Sequence, residues 1–446
     1  MVLTVLKCFN KTLMKPPFLP IWKRRFLSTE KLDDKLHCCK ILVVGGGTGG
    51  CAVAAKFAKN FIKCDIIVLE PSDIHYYQPS YSLIGAGVTT LRNSLKPTIA
   101  ALPENVTWFK DSAEFFCPFE CSVVTKTKKI IKYEYMIIST GMEFDFDKIK
   151  GLKEALDKYD NVVTIASPQY AEKTYCGLNK FSCGIAVFTH PKELSKYNSL
   201  NMCFLAEHYW RMNGKLCGTK IFYLTAACEI FPVNKYATSV NKLVKKKNIV
   251  ACLERNLIEI NPKDKTATFE EVQNPKERSC MKYDFLHVTP PMKPVEAIKK
   301  SKEISNEHGF VDVNKGTLQH NTFQNIFALG DCASLPTSKT VFATNAQAIV
   351  VHKNLTSYMT GRKLKACYDG YAASPIITGY GTCILAEYDY KLHSKETLPI
   401  RQERESKFAY YIRKDLLPKL YWNWLLTGKY PRTAGFGKLF SWYKKK

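Results

Sequence analysis

Residues 40–70 constrain the fold of this chain more than any other stretch. Residues 41–44 form a short apolar run of Ile, Leu and Val, which predicts a buried parallel strand. Gly45, Gly47 and Gly50 follow with the spacing G-x-G-x-x-G. In this spacing, the first glycine permits a tight turn, the second lets the backbone approach a pyrophosphate, and the third lets the next helix pack closely. The stretch therefore predicts a dinucleotide-binding turn.

The residues after this turn indicate which dinucleotide it binds. An alanine-rich segment follows and predicts a helix whose free N–H groups face a phosphate. Residues 66–69 are again apolar and predict a second strand, with Glu70 at its end. An acid about 20 residues beyond the last glycine is the expected partner of a ribose hydroxyl. Because Glu70 is an acid rather than an arginine, FAD or NAD is favoured over a 2′-phosphorylated cofactor.

Length and charge narrow the class of protein. A chain of 446 residues suits two or three domains. Its net charge of +25 is spread along the chain, so we expect weak attraction to anionic lipid and no nucleic-acid partner. Basic residues without any acid precede Glu30, so residues 1–38 are interpreted as a mitochondrial transit peptide, with a disordered basic tail as the alternative.

The cysteines and the hydropathy pattern exclude two further classes. Seventeen cysteines in a chain this long do not indicate a small secreted disulfide scaffold. We expect most of them to be buried reduced thiols, and we expect no metal site. No apolar run reaches the roughly 18 residues that a membrane-spanning helix needs.

A second α/β unit is predicted around residues 184–188 and 220–224. Its first turn reads Thr189-His190-Pro191 and has no glycine fingerprint, so NADH lacks its usual phosphate site there. Residues 325–331 predict another buried strand, which ends at Asp331. Asp331 suits a hydrogen bond to a ribityl hydroxyl, although a plain helix N-cap is the structural alternative.

The C-terminal stretch, residues 408–446, differs in character from the rest. It interleaves tyrosine, tryptophan and leucine with lysine and arginine. Aromatic residues with basic neighbours are typical of a helix lying in a membrane interface. The alternative is a terminal helix that packs on the protein's own core.

Together the motifs resemble the mitochondrial sulfide:quinone oxidoreductases, over nearly all of the chain after the leader. The resemblance implies an α/β fold with two Rossmann-like dinucleotide-binding domains of the FAD/NAD-linked reductase type plus a C-terminal membrane-associating region. It divides the chain into an FAD-binding domain (39–150 with 300–365), a second Rossmann-like domain without a glycine fingerprint (151–299), and a quinone- and membrane-facing region (366–446). The motifs are VVGGGTGG at 43–50, LEPSDIHYYQPSYSLIGAG at 69–87, HVTPPM at 287–292, LGDCASLPTSKT at 329–340, YDGY at 368–371, TGY at 378–380, LAEYDY at 385–390 and LYWN at 420–423.

The resemblance also implies FAD as cofactor, ubiquinone as electron acceptor, and sulfide with a small thiol or sulfite as sulfur acceptor. The implied location is the matrix side of the inner mitochondrial membrane. The turn residues and those carried over from the family give the predicted cofactor-binding set: Gly45, Gly47, Thr48, Gly49, Gly50, Glu70, Gln78, Ala113, Asp331, Lys339, Thr340, Val341 and Phe342.

The family's two redox cysteines correspond to about Tyr197 and Ser374 in this chain. Serine cannot replace a redox thiol, because its hydroxyl neither ionises at neutral pH nor forms a disulfide. Cys203 and Cys383 are thiols close to these two positions in sequence and are either a relocated pair or inert packing residues. Three hypotheses follow: sulfide oxidation with altered cysteine chemistry, a catalytically silent FAD-binding regulator or sensor, and a flavin quinone reductase with another donor.

Overall fold

The computed structural model describes residues 35–192 and 199–429. Residues 1–34 of the predicted leader, Tyr197 and residues 430–446 of the predicted membrane region lie outside the described residues. The helices are α1 Thr48–Phe57, α2 Tyr81–Gly85, α3 Thr98–Ala101, α4 Leu152–Lys158, α5 Pro168–Lys180, α6 Ser199–Met212, α7 Asn234–Lys246, α8 Glu296–Lys300, α9 Val341–Met359, α10 Lys407–Tyr411 and α11 Leu417–Leu420.

Twenty-one strands accompany these helices in the described residues. They are β1 Leu36–Val44, β2 Ile66–Leu69, β3 Ile74–Tyr76, β4 Leu95–Pro97, β5 Thr107–Phe109, β6 Ala113–Cys117, β7 Ser122–Thr125, β8 Ile130–Ile138, β9 Met142–Phe144, β10 Val162–Val163, β11 Gly184–His190, β12 Thr219–Thr225, β13 Ile249–Cys252, β14 Arg255–Asn261, β15 Thr266–Glu271, β16 Arg278–Lys282, β17 Phe285–Val288, β18 Met292–Pro294, β19 Ile326–Ala328, β20 Ala372–Gly379 and β21 Thr382–Tyr388.

The first sheet is built around β1, as its apolar run predicts. β1 pairs in parallel with β2 on one side and β8 on the other, and β5 extends the sheet beyond β2. The first half of β8 pairs antiparallel with β7, whereas its last residues pair in parallel with β19. The carboxyl ends of β1, β2, β8 and β19 therefore lie at one edge, where open α/β sheets bind their ligands.

The second sheet has the order β10-β17-β11-β12-β13, and its neighbouring strands are parallel. A separate antiparallel sheet, β14-β15-β16, packs beside it. The predicted α/β architecture with two Rossmann-like units is thus confirmed. The exact domain bounds stay predictions.

The glycine turn gives α1 its close approach to β1. Gly45 has φ +98°, a region that favours glycine. A Cβ on Gly50 would lie 1.8 Å from the carbonyl oxygen of Gly45, so only glycine fits at the helix start. Because the small residues of α1 are buried against the sheet, the third glycine has the packing role that its spacing predicts.

The C-terminal region consists of the β20-β21 hairpin and a helical stretch running from α10 through α11 to Leu425. Two π turns, Ile412–Leu416 and Tyr421–Leu425, interrupt the α-helical pattern. One face of this stretch, with Ile412 and Tyr421, is buried on the protein, while Tyr411 and Trp424 stay exposed. In the part of the chain that the structure describes, no helix has both the length and the apolar character needed to cross a bilayer.

Candidate functional site

A cleft of about 300 Å³ lies at the carboxyl edge of the first sheet. We call it the cofactor cleft. It brings together residues from the glycine turn, the end of β2, the loop before α2, the turn after β19 and the start of α9. Of the predicted cofactor residues, those on its wall are Gly45, Gly47, Thr48, Gly49, Glu70, Gln78, Asp331, Lys339, Thr340 and Val341.

The other three predicted residues lie elsewhere. Gly50 sits beneath the turn, against the backbone of Gly45. Phe342 lines a neighbouring cavity described below. Ala113 is buried at the start of β6 and is absent from the wall of the cofactor cleft, so its backbone contact with a cofactor stays a prediction.

Glu70 is held by the glycine turn that it faces. One carboxylate oxygen, Oε2, accepts a hydrogen bond from the Gly46 N–H at 2.7 Å, and Oε1 accepts one from the Ser72 N–H at 2.8 Å. By contrast, a Cβ built on Gly47 would meet no atom within 4 Å. The turn is therefore fixed on one side and open on the other, which leaves room for a pyrophosphate at Gly47.

The far end of the cleft is formed by the start of α9. Thr340 is the N-cap, and its side chain accepts a hydrogen bond from the Ala343 N–H. The Lys339 ammonium is buried and donates to the carbonyls of Ala333 and Leu335, and desolvation lowers its pKa. Asp331 lies in a turn on the cleft wall rather than at the start of a helix, so the plain N-cap interpretation of Asp331 is wrong.

The cleft carries a buried polar atom that fits a polar ligand. The Thr140 hydroxyl lies on the wall and has no hydrogen-bond partner within the described residues. A buried hydroxyl without a hydrogen-bond partner destabilises the folded protein unless a ligand or a water molecule bonds to it. The Thr140 hydroxyl, the open space at Gly47 and the acids Glu70 and Asp331 together form a set of polar groups that fits FAD.

A side-chain network ties the C-terminal helix to this cleft. The Tyr421 hydroxyl lies 2.6 Å from His75 Nε2 and 2.8 Å from the hydroxyl of Thr48. His75 Nδ1 is 3.2 Å from the Gly46 carbonyl, so Nδ1 carries the proton and Nε2 accepts from Tyr421. Burial lowers the pKa of His75 to about 4, which keeps the imidazole neutral.

A second cavity of about 120 Å³ lies between the cofactor cleft and the C-terminal helix. We call it the tail cavity. Its wall is part apolar, with Phe342 and Leu417, and part polar, with Ser374 and Arg413 among the polar side chains. Arg413 is only 6% exposed. Its Nη2 donates to the Pro79 carbonyl, and its Nη1 has no partner among the described residues.

The positions of the sulfur atoms test the sequence-based interpretation. Ser374, which the resemblance matches to the family's second cysteine position, lies on β20 and lines the tail cavity. Cys203 on α6 and Cys383 on β21 are fully buried. Burial raises the pKa of the Cys203 thiol above its ordinary range and that of Cys383 to about 12. Both behave as packing residues, which argues against a relocated redox pair.

Sequence reasoning missed three residues at this site. Thr140 carried a weak signal, because it follows an apolar strand in a Ser-Thr-Gly stretch. Tyr421 lies in the LYWN motif, but nothing local indicates that it reaches Thr48. Nothing in the sequence indicated that Arg413 is buried at the site, because a basic residue near aromatic ones is interpreted as a surface residue.

Comparisons with known proteins agree with this geometry. Residues 39–174 match the family described as pyridine nucleotide-disulphide oxidoreductase. The mitochondrial sulfide:quinone oxidoreductase of Dictyostelium discoideum is 39% identical over 417 residues, which cover 92% of this chain and 90% of that protein.

Two solved structures share the fold. The sulfide:quinone oxidoreductase from Aquifex aeolicus has a TM-score of 0.78 at 19% identity, covering 92% of this chain and 96% of that one. A chain in the Tetrahymena thermophila mitochondrial ATP synthase has a TM-score of 0.77 at 21% identity, covering 90% of this chain and 99% of that one. The extent of the sequence match together with the cofactor cleft therefore leads to one conclusion: this chain belongs to the mitochondrial sulfide:quinone oxidoreductase family of FAD-binding flavoprotein oxidoreductases.

Proposed function

We propose that this chain oxidises sulfide and passes the electrons through FAD to ubiquinone, with cysteine chemistry that differs from the family's. FAD, when bound, supplies the reversible acceptance of two electrons. The observation that carries the proposal is the contact between the cofactor cleft and the tail cavity, which share Gln78, Lys339, Thr340 and Val341 as walls. A polar cradle for a dinucleotide thus adjoins a cavity with both apolar and polar walls, which suits a quinone ring and its carbonyl oxygens.

The C-terminal helix supports a membrane-surface location for this cavity. Its exposed face carries Phe408, Tyr411 and Trp424, and basic side chains lie close to them in the sequence. A helix of this kind binds at the boundary between headgroups and acyl chains. Since Leu417 of the same helix lines the tail cavity, a quinone could pass from the bilayer to the cavity. We place the protein at the matrix side of the inner mitochondrial membrane, with sulfite or a small thiol as sulfur acceptor.

Reduction of a soluble ubiquinone analogue by sulfide tests this function. Purified protein loaded with FAD should bleach its flavin absorbance on addition of sulfide and then reoxidise when the quinone analogue is added. The same protein stripped of FAD is the matched control and should reduce no quinone. A holoprotein that neither bleaches nor turns over would contradict the proposal.

A catalytically silent FAD-binding protein, acting as a regulator or sensor, is the second candidate. Ser374 favours it, because a hydroxyl stands where the family carries a thiol. Sulfide separates the two candidates, since a silent protein keeps its flavin oxidised.

A flavin quinone reductase that uses another donor is the third candidate. β11 ends at His190 and is followed by Pro191, with no glycine fingerprint, so we expect NADH not to reduce the flavin. Flavin bleaching by NADH but not by sulfide would favour this third candidate.

A further inference from the structure

A third cavity, of about 460 Å³, lies between the loop that follows β12 and the strand β20. We call it the Cys228 cavity. Its wall combines a thiol, an imidazole and hydroxyls from separate parts of the chain: His190, Thr225, Cys228, Ser338, Ser374 and Tyr388. The parallel pairing of β11 with β12 brings their two carboxyl ends together here.

Cys228 differs from the two buried thiols that the sequence suggested. Its side chain is exposed and carries no disulfide, so a dissolved sulfur species can reach it. Ser374 lines the same cavity. The thiol of Cys228 therefore opens onto the space where the family's second cysteine would stand.

The Cys228 cavity also borders the cofactor cleft. Lys339 and Thr340 line both spaces, and Lys339 lines the tail cavity as well. A buried ammonium favours nearby anions such as hydrosulfide or a thiolate. The start of α9 is thus the shared wall between the thiol and the residues that fit FAD.

Unsatisfied polar atoms of the Cys228 cavity and of the cavity that adjoins it at His190 point to a ligand. The Nδ1 atom of His190 is buried and lacks a partner among residues 35–192 and 199–429. His190 also lines an adjoining cavity of about 400 Å³. There the hydroxyls of Thr189 and Thr289, which are 3% and 2% exposed, are likewise unpartnered within the described residues. A small polar molecule in the adjoining cavity, which shares His190 with the Cys228 cavity, would supply partners for these groups.

We propose that Cys228 is the thiol that takes up sulfur from sulfide in this chain, and that the adjoining cavity receives a small polar acceptor such as sulfite. This inference rests on the proposed function. A thiolate and a hydrosulfide ion form an S–S bond with release of one proton and two electrons, and FAD held in the cofactor cleft would be the two-electron acceptor. The acceptor then attacks the outer sulfur atom, takes it, and restores the Cys228 thiolate. A single thiol therefore completes the cycle, and Ser374 need not react.

Peptide mass spectrometry of the oxidised holoprotein tests this inference directly. After sulfide is added without quinone or acceptor, and the thiols are alkylated, the peptide with Cys228 should carry one extra sulfur atom. Addition of sulfite should remove that atom. The Cys217→Ser variant is the matched control, since Cys217 is also an exposed thiol of the second domain. The Cys228→Ser variant should lose at least about 100-fold in the rate of flavin bleaching by sulfide, while Cys217→Ser keeps the wild-type rate.

The outcomes separate this inference from the proposed function. If the wild type reduces quinone and Cys228→Ser matches Cys217→Ser, Cys228 is not the sulfur carrier and the function stands. If the extra sulfur appears on Cys228 while quinone is not reduced, the carrier role stands and the quinone reaction fails. Absence of the extra sulfur in a protein that bleaches overturns the inference.

Discussion

The Tyr421→Phe substitution tests whether the C-terminal helix supports the cofactor cleft. It removes one hydroxyl and leaves the ring, which is buried against Tyr77. The hydroxyl links His75 Nε2 and the Thr48 side chain at 2.6 and 2.8 Å. After the substitution, the His75 Nε2 acceptor loses its donor, because its Nδ1 remains bound to the Gly46 carbonyl.

The expected cost follows from these contacts. Two lost hydrogen bonds cost about 1 kcal/mol each, and an acceptor left buried without a partner adds about 1 kcal/mol. We therefore expect the free energy of unfolding to fall by about 2–3 kcal/mol. Thr48 lies on the wall of the cofactor cleft. If about 1 kcal/mol of the loss falls on its orientation, the Kd for FAD rises about fivefold.

Two measurements check this prediction. Denaturant unfolding of the FAD-free protein gives the stability change, and titration of that protein with FAD gives the Kd. Tyr411→Phe is the matched control, because Tyr411 lies on the same helix with its side chain 53% exposed. If Tyr421→Phe binds FAD as tightly as Tyr411→Phe, the helix does not support the cleft and the reasoning fails.

Three further predictions follow from single residues. Gly47→Ala should keep the melting temperature, because its Cβ meets no protein atom, and should lower FAD affinity, because that Cβ fills the space left for the pyrophosphate. Gly50→Ala should unfold the turn, since its Cβ would lie 1.8 Å from a carbonyl oxygen. Thermal melts and FAD titration separate the two variants. Because the pKa of His75 is lowered from 6.5 to about 4 in the folded protein, the unfolded state binds more protons, and His75 should cost about 2 kcal/mol of stability at pH 5 relative to pH 8. His75→Gln should flatten that part of the pH profile of the unfolding free energy. Trp424→Ala should weaken flotation with cardiolipin liposomes about tenfold, and equal flotation of Trp424→Ala and the exposed-site control Phe119→Ala would exclude the helix as the membrane contact.

The first half of the cofactor cleft could be predicted from sequence because its determinants are local. A β-branched run, three glycines at fixed spacing and a small-residue helix lie within about 20 residues of one another, and each limits the backbone by sterics alone. Glu70 was placed correctly at the end of β2. Its hydrogen bond to the Gly46 N–H was not predicted, because that contact depends on how the turn closes over the strand end.

The other half could not be predicted, because contacts between distant parts of the chain form it. Tyr421 meets Thr48 across 373 residues of sequence, and Arg413 reaches the Pro79 carbonyl across 334. Neither a tyrosine nor an arginine indicates by its residue type which distant residue it contacts. An aromatic and basic helix is equally typical of a membrane interface and of a packed terminus. The structure shows that one face of this helix packs on the core while the other is exposed, and contact of the exposed face with a membrane stays a prediction.

The thiols show the same limit of prediction from sequence. Sequence proximity selected Cys203 and Cys383, since they lie 6 and 9 residues from the positions of the missing cysteines. Proximity along a helix or strand does not decide which way a side chain points, and both thiols point into the core. Cys228 lies 146 residues from Ser374 in sequence, yet parallel strand ends and the β20-β21 hairpin place the two on one cavity wall. A loss of cysteines in the sequence is therefore not yet a loss of thiol chemistry, because the fold can supply a thiol from another strand end.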